Sequence, residues 1–380
     1  MTGLHGHCDP AFAPLRDELD TALGSDAETG VSLSVIVDDT VVVDLWGGVA
    51  DPDSGRAWTE DTLVNTYSLT KTITATAALM LVDRGLLDLE APVARYWPEF
   101  AAAGKEFVLV RHVLGHTSGV AGWQDRMTID ELLDVPAATA RLATQAPWWP
   151  PGDGSGYHAI CFGNLIGELI RRIDGRTLGA FIAEELAAPL GADFHLGSGP
   201  EIDERVAPMI PPPPSGVDYA ALEPDSALVK ALANPVIPPT LCTERRYLAA
   251  ELGGMNGQSN ARGIARLGRL ISHGGTADGH RVLSPATIEK IFDVQADGVD
   301  RVLGAPLRFG LGFALPSPQA MPAVPGGRVC WWTGFGGSLV VNDLDRRMTF
   351  AYVMNRMDAR LVGAPRSAGY LATAYRCVNR

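Results

Sequence analysis

Apolar residues with the spacing of β-strands occupy the two ends of the chain. Near the N-terminus, the β-rich runs 31–37 and 41–46 are separated by Asp38-Asp39-Thr40, which predicts a hairpin. Near the C-terminus, similar runs alternate with turns that contain Gly or Asp. They predict four further strands, at 309–314, 329–333, 338–342 and 348–354.

Elsewhere the apolar residues recur at helical spacing. Leu15, Leu19 and Leu23 lie on one face of a predicted N-terminal helix that ends at Gly24. The middle of the chain adds further amphipathic segments, and another closes the chain. The predicted helices are 12–23, 128–133, 139–144, 162–173, 260–273, 285–292 and 364–377.

Strands from both chain ends that enclose a helical segment predict an α/β plus α protein, with an antiparallel β-sheet flanked by helices and a large helical insertion. We expect residues 1–85 and 285–380 to form the α/β sheet domain and residues 86–284 a mainly helical domain. A chain of 380 residues exceeds one ordinary hydrophobic core, which agrees with two lobes. The proline-rich connections 208–214 and 235–239 are expected to be surface loops that frame a pocket mouth.

Composition narrows the possible partners. A net charge of −13 argues against nucleic acid and anionic membranes. The five cysteines are scattered and form no C-x-x-C pair, which predicts free thiols in a reducing cytoplasm rather than a metal site or a disulfide framework. The polar first 20 residues, and the absence of 18 consecutive apolar residues anywhere, predict neither a signal peptide nor a membrane span.

The stretch Ser68-Leu69-Thr70-Lys71 begins an Ala- and Thr-rich helix that is predicted to end near Gly85. The spacing of three residues places Ser68 and Lys71 one turn apart on the same helix face. Serine becomes a strong nucleophile when a neighbouring group takes its proton, and burial in an apolar helix lowers the pKa of a lysine. The pair thus supplies a nucleophile and its activator. A capping serine and a surface lysine with its stem along the helix account for the same spacing.

Two later segments contain possible partners for Ser68. Tyr157 follows a rigid Trp-Trp-Pro-Pro-Gly loop and precedes a helix, so its hydroxyl can reach a cleft and act as general base or acid. The stretch 331–338 contains three glycines within four residues, which lets its backbone approach a substrate closely. The amides of Ser68 and of the residue after Gly334 are then candidate oxyanion donors. A core tyrosine and a tight hairpin with packed tryptophans would explain the same two patterns without catalysis.

Together, these motifs resemble those of the penicillin-recognising serine hydrolase superfamily: S-x-x-K, a Pro-Gly loop followed by a tyrosine, and a W/H/K-x-G strand near the C-terminus. Within that superfamily the chain is similar to the class C β-lactamase-like esterases, the family VIII carboxylesterases. The resemblance extends over nearly the whole chain. It includes the segments 43–48, 58–63, 96–100, 114–119 and 352–355.

The resemblance implies a β-lactamase/transpeptidase-like fold with the active site at the interface of the two domains. It implies that Ser68 is the nucleophile and that Lys71 and Tyr157 are its proton-transfer partners. It also implies that the amides of Ser68 and Phe335 form the oxyanion hole. Neither a metal nor an organic cofactor is implied.

The chain departs from the class C pattern at two places. Residues 157–159 are Tyr-His-Ala where Tyr-x-Asn is expected, and residues 332–334 are Trp-Thr-Gly where Lys-Thr-Gly is expected. The side-chain amide of the expected asparagine would bind the side chain of a β-lactam. The ammonium of the expected lysine would bind a substrate carboxylate. Both departures favour neutral esters over penicillins.

Substrate contacts are expected from residues beside the catalytic groups. Their bulky rings predict an aromatic wall that favours a bulky apolar or ring-bearing substrate. Because neighbouring strand residues face opposite sides of a sheet, Trp332 is assigned to the pocket and Trp331 to the other face. The predicted contacts are Trp332, Thr333, Gly334, His158, Trp148 and Trp149.

The preferred hypothesis is a serine ester hydrolase that acts through an acyl-enzyme on a small-molecule ester, with a small or a bulky apolar acyl part. An acyltransferase of secondary metabolism would pass the same acyl group to a hydroxyl or an amine. A β-lactamase or D-alanyl-D-alanine peptidase is a third hypothesis, and a non-catalytic binding protein on this scaffold is a fourth. The sequence leaves the choice between hydrolase and acyltransferase open, because it depends on water access and acceptor affinity. It also leaves the oligomeric state open.

Overall fold

An antiparallel ten-stranded sheet lies at the centre of the computed structural model, which describes residues 3–25, 27–212, 223, 225–277 and 279–379. The strands in chain order are β1 (Leu4–Cys8), β2 (Gly30–Val37), β3 (Thr40–Asp51), β4 (Arg56–Ala57), β5 (Val64–Asn65), β6 (Phe194–His195), β7 (Gln258–Ser259), β8 (Thr276–Ala277), β9 (His280–Arg281), β10 (Ala296–Val299), β11 (Pro306–Phe309), β12 (Ala314–Leu315), β13 (Val329–Thr333), β14 (Leu339–Asp343) and β15 (Met348–Met354). The spatial order in the large sheet is β1-β3-β2-β15-β14-β13-β12-β11-β10, and β4 pairs with β3.

Strands from the two ends of the chain therefore meet in one sheet, at the pairing of β2 with β15. Every residue of β13, β14 and β15 is buried. Because successive side chains point to opposite faces, both faces of the sheet centre are covered. The predicted antiparallel sheet with flanking helices is confirmed.

Helices cover the sheet and occupy most of the middle of the chain. They are α1 (Ala13–Gly24), α2 (Thr70–Asp83), α3 (Val110–Leu114), α4 (Ile129–Leu133), α5 (Val135–Thr144), α6 (Phe162–Asp174), α7 (Leu178–Ile182), α8 (Ala227–Leu232), α9 (Arg245–Ala249), α10 (Ala261–Ser272), α11 (Pro285–Lys290) and α12 (Pro365–Val378). Helix α12 packs on α1 and β15, and α2 packs on α6 and α7. Each helix in the described part of the chain is too short or too polar to cross a bilayer.

Helix α10 packs against the sheet, at β2, β14 and β15. It lies within residues 86–284, the segment that we expect to form the mainly helical domain. Nine of its twelve residues are buried, because it places a broad apolar face on the sheet. This segment therefore belongs with the sheet in space, although it lies in the middle of the sequence.

The predicted single strand at 309–314 is wrong. The chain forms β11 up to Phe309, turns, and resumes as β12 at Ala314. Gly312 in this turn has a φ of +81°, and a Cβ there would lie 2.1 Å from Ala75 Cβ of α2. The two glycines at 310 and 312 thus allow a tight turn against the helix, which a continuous strand would not permit.

Strand β13 carries the tryptophan pair. Trp332 pairs with Val340 of β14, and Trp331 pairs with Ala314 of β12 and Val341 of β14. Trp331 is fully buried, and its indole N–H donates to Leu315 O at 2.9 Å. Its side chain is therefore part of the sheet core.

We expect Trp331→Ala to lower the free energy of unfolding by about 3–5 kcal/mol, because it removes a fully buried aromatic side chain. Urea unfolding followed by circular dichroism measures this change. The matched control is Phe107→Ala, since Phe107 is 77% exposed, and it should shift the free energy by less than about 0.5 kcal/mol. Equal effects of the two substitutions would contradict the observed register of β13.

Candidate active site

Ser68 lies in a single turn of 3-10 helix, Tyr67–Leu69, that leads directly into α2. Tyr67 has a φ of +46°, so the backbone bends sharply immediately before Ser68. Thr70 Oγ1 donates to Tyr67 O at 2.6 Å and holds this bend. Ser68 remains partly exposed, whereas its neighbours on both sides are buried. The bend thus presents one hydroxyl from an otherwise buried segment.

The segment 253–257 fixes the start of α2. Thr66 N donates to Gly257 O at 2.9 Å, and Gly257 N donates to Thr70 Oγ1 at 3.0 Å. Thr74 Oγ1 donates to Gly253 O at 2.7 Å. These bonds place the carbonyl of the next residue, Gly254, against the first turn of the helix.

Lys71 is almost completely buried and faces Ser68 from the next turn. Its Nζ donates to Ala159 O and to Gly254 O, both at 2.6 Å, and lies 3.2 Å from Ser68 Oγ. Among the described residues it forms no salt bridge. Burial lowers the pKa of the Lys71 ammonium to about 7.

This arrangement determines where the amine can accept a proton. In the ammonium form, the three N–H bonds point to the two carbonyls and to Ser68 Oγ. Once the proton is lost, the two carbonyls still require the two remaining N–H bonds, since a carbonyl can only accept. The lone pair of the neutral amine therefore faces the Ser68 hydroxyl, which can then donate to it.

Tyr157 occupies the other side of Ser68. Trp332 Nε1 donates to its phenol oxygen at 2.9 Å, and Tyr157 and Ser68 line the same cavity. The Lys71 Nζ lies 4.6 Å from the centre of the tyrosine ring. Burial raises the pKa of the Tyr157 phenol, and the carboxylate of Asp300 raises it further, while interactions with Ser68 and Trp332 lower it. The phenol is therefore a proton donor at neutral pH.

The glycine turn after β13 approaches the same serine. Gly337 N donates to Gly334 O at 3.0 Å, which closes a β-turn with Phe335 at its second position. The Phe335 ring meets the Tyr67 ring edge-on, with centroids 5.6 Å apart. Within the described residues the Phe335 N–H has no acceptor. This amide and Ser68 line the same cavity.

A cavity of about 420 Å³ opens in front of Ser68. Its described lining carries no charged side chain and is mostly aliphatic, proline and aromatic. The lining residues are Tyr67, Ser68, Tyr157, Ala159, Ile160, Pro211, Pro212, Leu232, Ala233, Val236, Ile237, Pro238, Pro239, Met255, Leu303, Trp332, Thr333, Phe335, Leu361 and Val362.

The predicted proline-rich connections do frame this cavity, through Pro211 and Pro212 and through residues 236–239. Pro213 and Pro214, which belong to the first predicted connection, lie outside the described residues. Trp332 lines the cavity, as the strand alternation predicts. Thr333, the last residue of β13, lines it as well, and Gly334 lies between two lining residues. Trp331 is not among the lining residues.

Three predicted substrate contacts require correction. His158 is fully buried behind the cavity: its Nδ1–H donates to Gly156 O at 2.8 Å, and its Nε2 accepts from Ser118 Oγ at 2.6 Å. Burial lowers the pKa of His158 to about 4, so this ring is neutral and cannot replace the missing lysine.

Trp148 and Trp149 also lie outside the cavity lining. The Trp149 ring packs against Gly156, where a Cβ would lie 2.2 Å from the indole, and Arg301 stacks on it at 5.3 Å. Trp148 contacts Gly122, and Lys230 Nζ lies 5.0 Å from its ring. Trp149 thus packs against the segment that leads to Tyr157, and Trp148 packs against the Trp149 ring, with ring centroids 6.1 Å apart.

The sequence reasoning missed the groups that hold Lys71 and part of the apolar wall. Gly254 contributes one of the two carbonyls that accept from Lys71. Its signal in the sequence is the pair Gly253-Gly254, which lets this segment lie close to Gly163 of α6. The wall residues Met255, Leu303, Leu361 and Val362 come from loops without periodicity.

We expect the stabilities of the native protein and of Lys71→Met to diverge as pH rises. Lys71 has a folded pKa of about 7 against a usual value of 10.5, so the unfolded chain binds more protons between these pH values. Its contribution to the free energy of unfolding therefore rises with pH across that window. Urea unfolding at pH 7, 8 and 9 should show the difference growing in favour of the native protein. The surface substitution Lys290→Met serves as the control, and a difference for Lys71→Met that stays constant with pH would contradict the prediction.

Comparisons with known proteins agree with this geometry. The Beta-lactamase family profile matches residues 15–372. Esterase/beta-lactamase LipL of Mycobacterium tuberculosis (strain ATCC 25618 / H37Rv) is 36% identical over 372 residues, which cover 94% of this chain and 84% of LipL.

Solved structures extend the match to the whole fold. A family VIII carboxylesterase is 39% identical, with a TM-score of 0.92 over 98% of this chain and 99% of that chain. A penicillin-binding protein homologue from Caulobacter crescentus is 34% identical, with a TM-score of 0.91 over the same shares of the two chains. The resemblance inferred from the motifs is confirmed, and the chain belongs to the Beta-lactamase family.

Proposed function

We propose that this protein is a serine ester hydrolase that works through an acyl-enzyme on Ser68. The observation that carries the proposal is the Lys71 amine, 3.2 Å from Ser68 Oγ, with its other donors bound to two carbonyls. The relatives named esterase and carboxylesterase support the same activity. The substrate is a small-molecule ester.

In the acylation step, Ser68 Oγ attacks the ester carbonyl carbon and its proton passes to the neutral Lys71 amine. The carbonyl oxygen becomes an oxyanion between the N–H groups of Ser68 and Phe335. As the tetrahedral intermediate collapses, the bond to the alcohol breaks and the Tyr157 phenol donates its proton to the leaving oxygen. The Lys71 ammonium returns a proton to the tyrosinate. The contrast between a lysine with a lowered pKa and a tyrosine with a raised pKa supports this assignment of base and acid.

In the deacylation step, water takes the place of the alcohol. It loses a proton to the same Tyr157–Lys71 pair as it attacks the acyl carbonyl, and Ser68 regains its proton when the acid leaves. The catalytic groups thus end in the state in which they began.

The cavity supports a neutral, apolar substrate. Its described lining provides no positive charge for a carboxylate, and the Trp332 indole replaces the lysine expected at that position. A space of about 420 Å³ accommodates a bulky acyl or alcohol group beside the scissile bond.

The lining also supports an active site between two domains. Ser68, Trp332 and Phe335 come from the segments assigned to the sheet domain, whereas Tyr157 and Pro211 come from the segment assigned to the helical domain. We also propose that the protein resides in the cytoplasm, because its five cysteines are scattered along the sequence and form no C-x-x-C pair.

An acyltransferase is the second candidate. A relative named acyltransferase calJ, from Penicillium decumbens, is 27% identical over 64% of this chain. Both activities share the acyl-enzyme, so the partition of the acyl group between water and added alcohols decides between them.

Ser68→Ala should abolish ester turnover, and Lys71→Arg should lower it by at least about a hundredfold, because arginine keeps its proton and cannot accept that of Ser68. A fluorophosphonate should label the native protein at Ser68 only, as read by peptide mass spectrometry. The matched control is Ser118→Ala, which alters a buried serine outside the cavity. A fully active Ser68→Ala protein would sink the proposal.

A neutral butyrate ester should be hydrolysed about ten- to a hundredfold faster, in kcat/KM, than the succinate monoester of the same alcohol. The two substrates differ by a carboxylate for which the cavity supplies no charge-assisted hydrogen bond, worth roughly 1.5–3 kcal/mol. The same comparison predicts poor turnover of nitrocefin. Equal kcat/KM values for the two esters would show that a cation reaches the cleft.

A further inference from the structure

The hairpin between β10 and β11 contains a completely buried aspartate at its tip. Asp300 Oδ1 accepts hydrogen bonds from Val302 N and Leu303 N, both at 2.9 Å. Asp300 N donates to Ala305 O at 2.9 Å. These bonds cap the turn locally, as an Asx-turn does, and need no further explanation.

A third bond to the same oxygen is not part of the turn. Tyr157 N donates to Asp300 Oδ1 at 3.1 Å, across 143 residues of sequence. Beside it, Arg301 N donates to Ser155 O at 2.9 Å. The hairpin tip therefore holds the backbone of the segment that presents Tyr157.

The carboxylate is also unusual in its surroundings. Its second oxygen, Oδ2, is buried and has no hydrogen-bond partner among the described residues. No described basic side chain forms an ion pair with it. Burial of a polar oxygen without a partner is costly, and turn formation alone does not account for it. The hydrogen bond from Tyr157 N to Oδ1 is the contact of this side chain that reaches beyond the turn.

We propose that Asp300 is a positioning residue for Tyr157: its Oδ1 anchors the tyrosine backbone so that the phenol lies between Ser68 and Trp332. The inference rests on the proposed function of Tyr157 as proton donor. The same carboxylate also orders the amide of Leu303, which lines the cavity. The buried Asp300 side chain thus links the end of β10 to Tyr157 and to the cavity lining.

A double-mutant cycle separates this role from a purely structural one. Asp300→Ser, whose side chain caps the turn but is too short to reach Tyr157 N, is made in the native protein and in Tyr157→Phe, and kcat/KM for a butyrate ester is measured, with fluorophosphonate labelling rates for the slow variants. If Asp300 acts through the position of the phenol, the substitution should lower kcat/KM about tenfold in the native background and less than twofold in the Tyr157→Phe background. Asp300→Asn, whose amide oxygen can accept the same bond from Tyr157 N, should keep kcat/KM within about twofold of the native value.

The matched control is Asp343→Asn. Asp343 is equally buried and caps the turn after β14, where its Oδ1 accepts from Arg346 N at 2.8 Å. It should lower the thermal midpoint but leave kcat/KM within twofold of the native value.

Three outcomes would overturn the proposal: an equal loss from Asp300→Ser in both backgrounds, full activity of a folded Asp300→Ser protein, or a tenfold loss from Asp300→Asn. Full activity of Tyr157→Phe alone is a separate result. It would refute the proposed function of the phenol, and with it any positioning of that phenol by Asp300.

Discussion

A buried lysine that has no carboxylate partner in the described part of the chain is the constraint around which this structure is arranged. An unpaired ammonium is expensive to bury, and the chain offsets that cost with two backbone carbonyls rather than with a negative charge. One carbonyl belongs to Ala159, two residues after Tyr157, and the other to Gly254, in the segment that fixes the start of α2. The result is a low pKa together with a fixed direction for the lone pair, and both are needed for an amine that takes a proton from Ser68.

The same constraint explains which parts of the site could be predicted from sequence. Ser68 and Lys71 are one helical turn apart, so their contact follows from local geometry alone. Trp332 could be assigned to the cavity because alternation along a strand is equally local. The two carbonyls that hold Lys71 are backbone groups, which any residue supplies, and only the folded chain brings them together. The same is true of Asp300, whose bond to Tyr157 spans 143 residues.

The corrected predictions share one physical cause. His158, Trp148 and Trp149 lie in irregular segments, where no period of 2 or 3.6 residues states which way a side chain points. They were assigned to the cleft because they are close to Tyr157 in sequence. In the structure they lie outside the cavity lining, and His158 and Trp149 contact Gly156, the residue before Tyr157. The strand predicted at 309–314 was wrong for a related reason, because Gly312 serves a close approach to α2 that the local pattern does not reveal.

The proposed oxyanion donors, the amides of Ser68 and Phe335, depend on how closely two distant segments can approach each other. Strand β13 ends at Thr333, and at the next residue, Gly334, a Cβ would lie 2.2 Å from Ser338 Oγ and 2.4 Å from Thr66 O. Any side chain at this position would push the glycine turn away from the 3-10 turn that carries Ser68, the proposed nucleophile. The contact between the rings of Tyr67 and Phe335 also fixes the distance between these two turns. Because hydrogen bonds to an oxyanion weaken steeply with distance and angle, the absence of a single methyl group is what allows amides from opposite ends of the chain to serve one carbonyl oxygen.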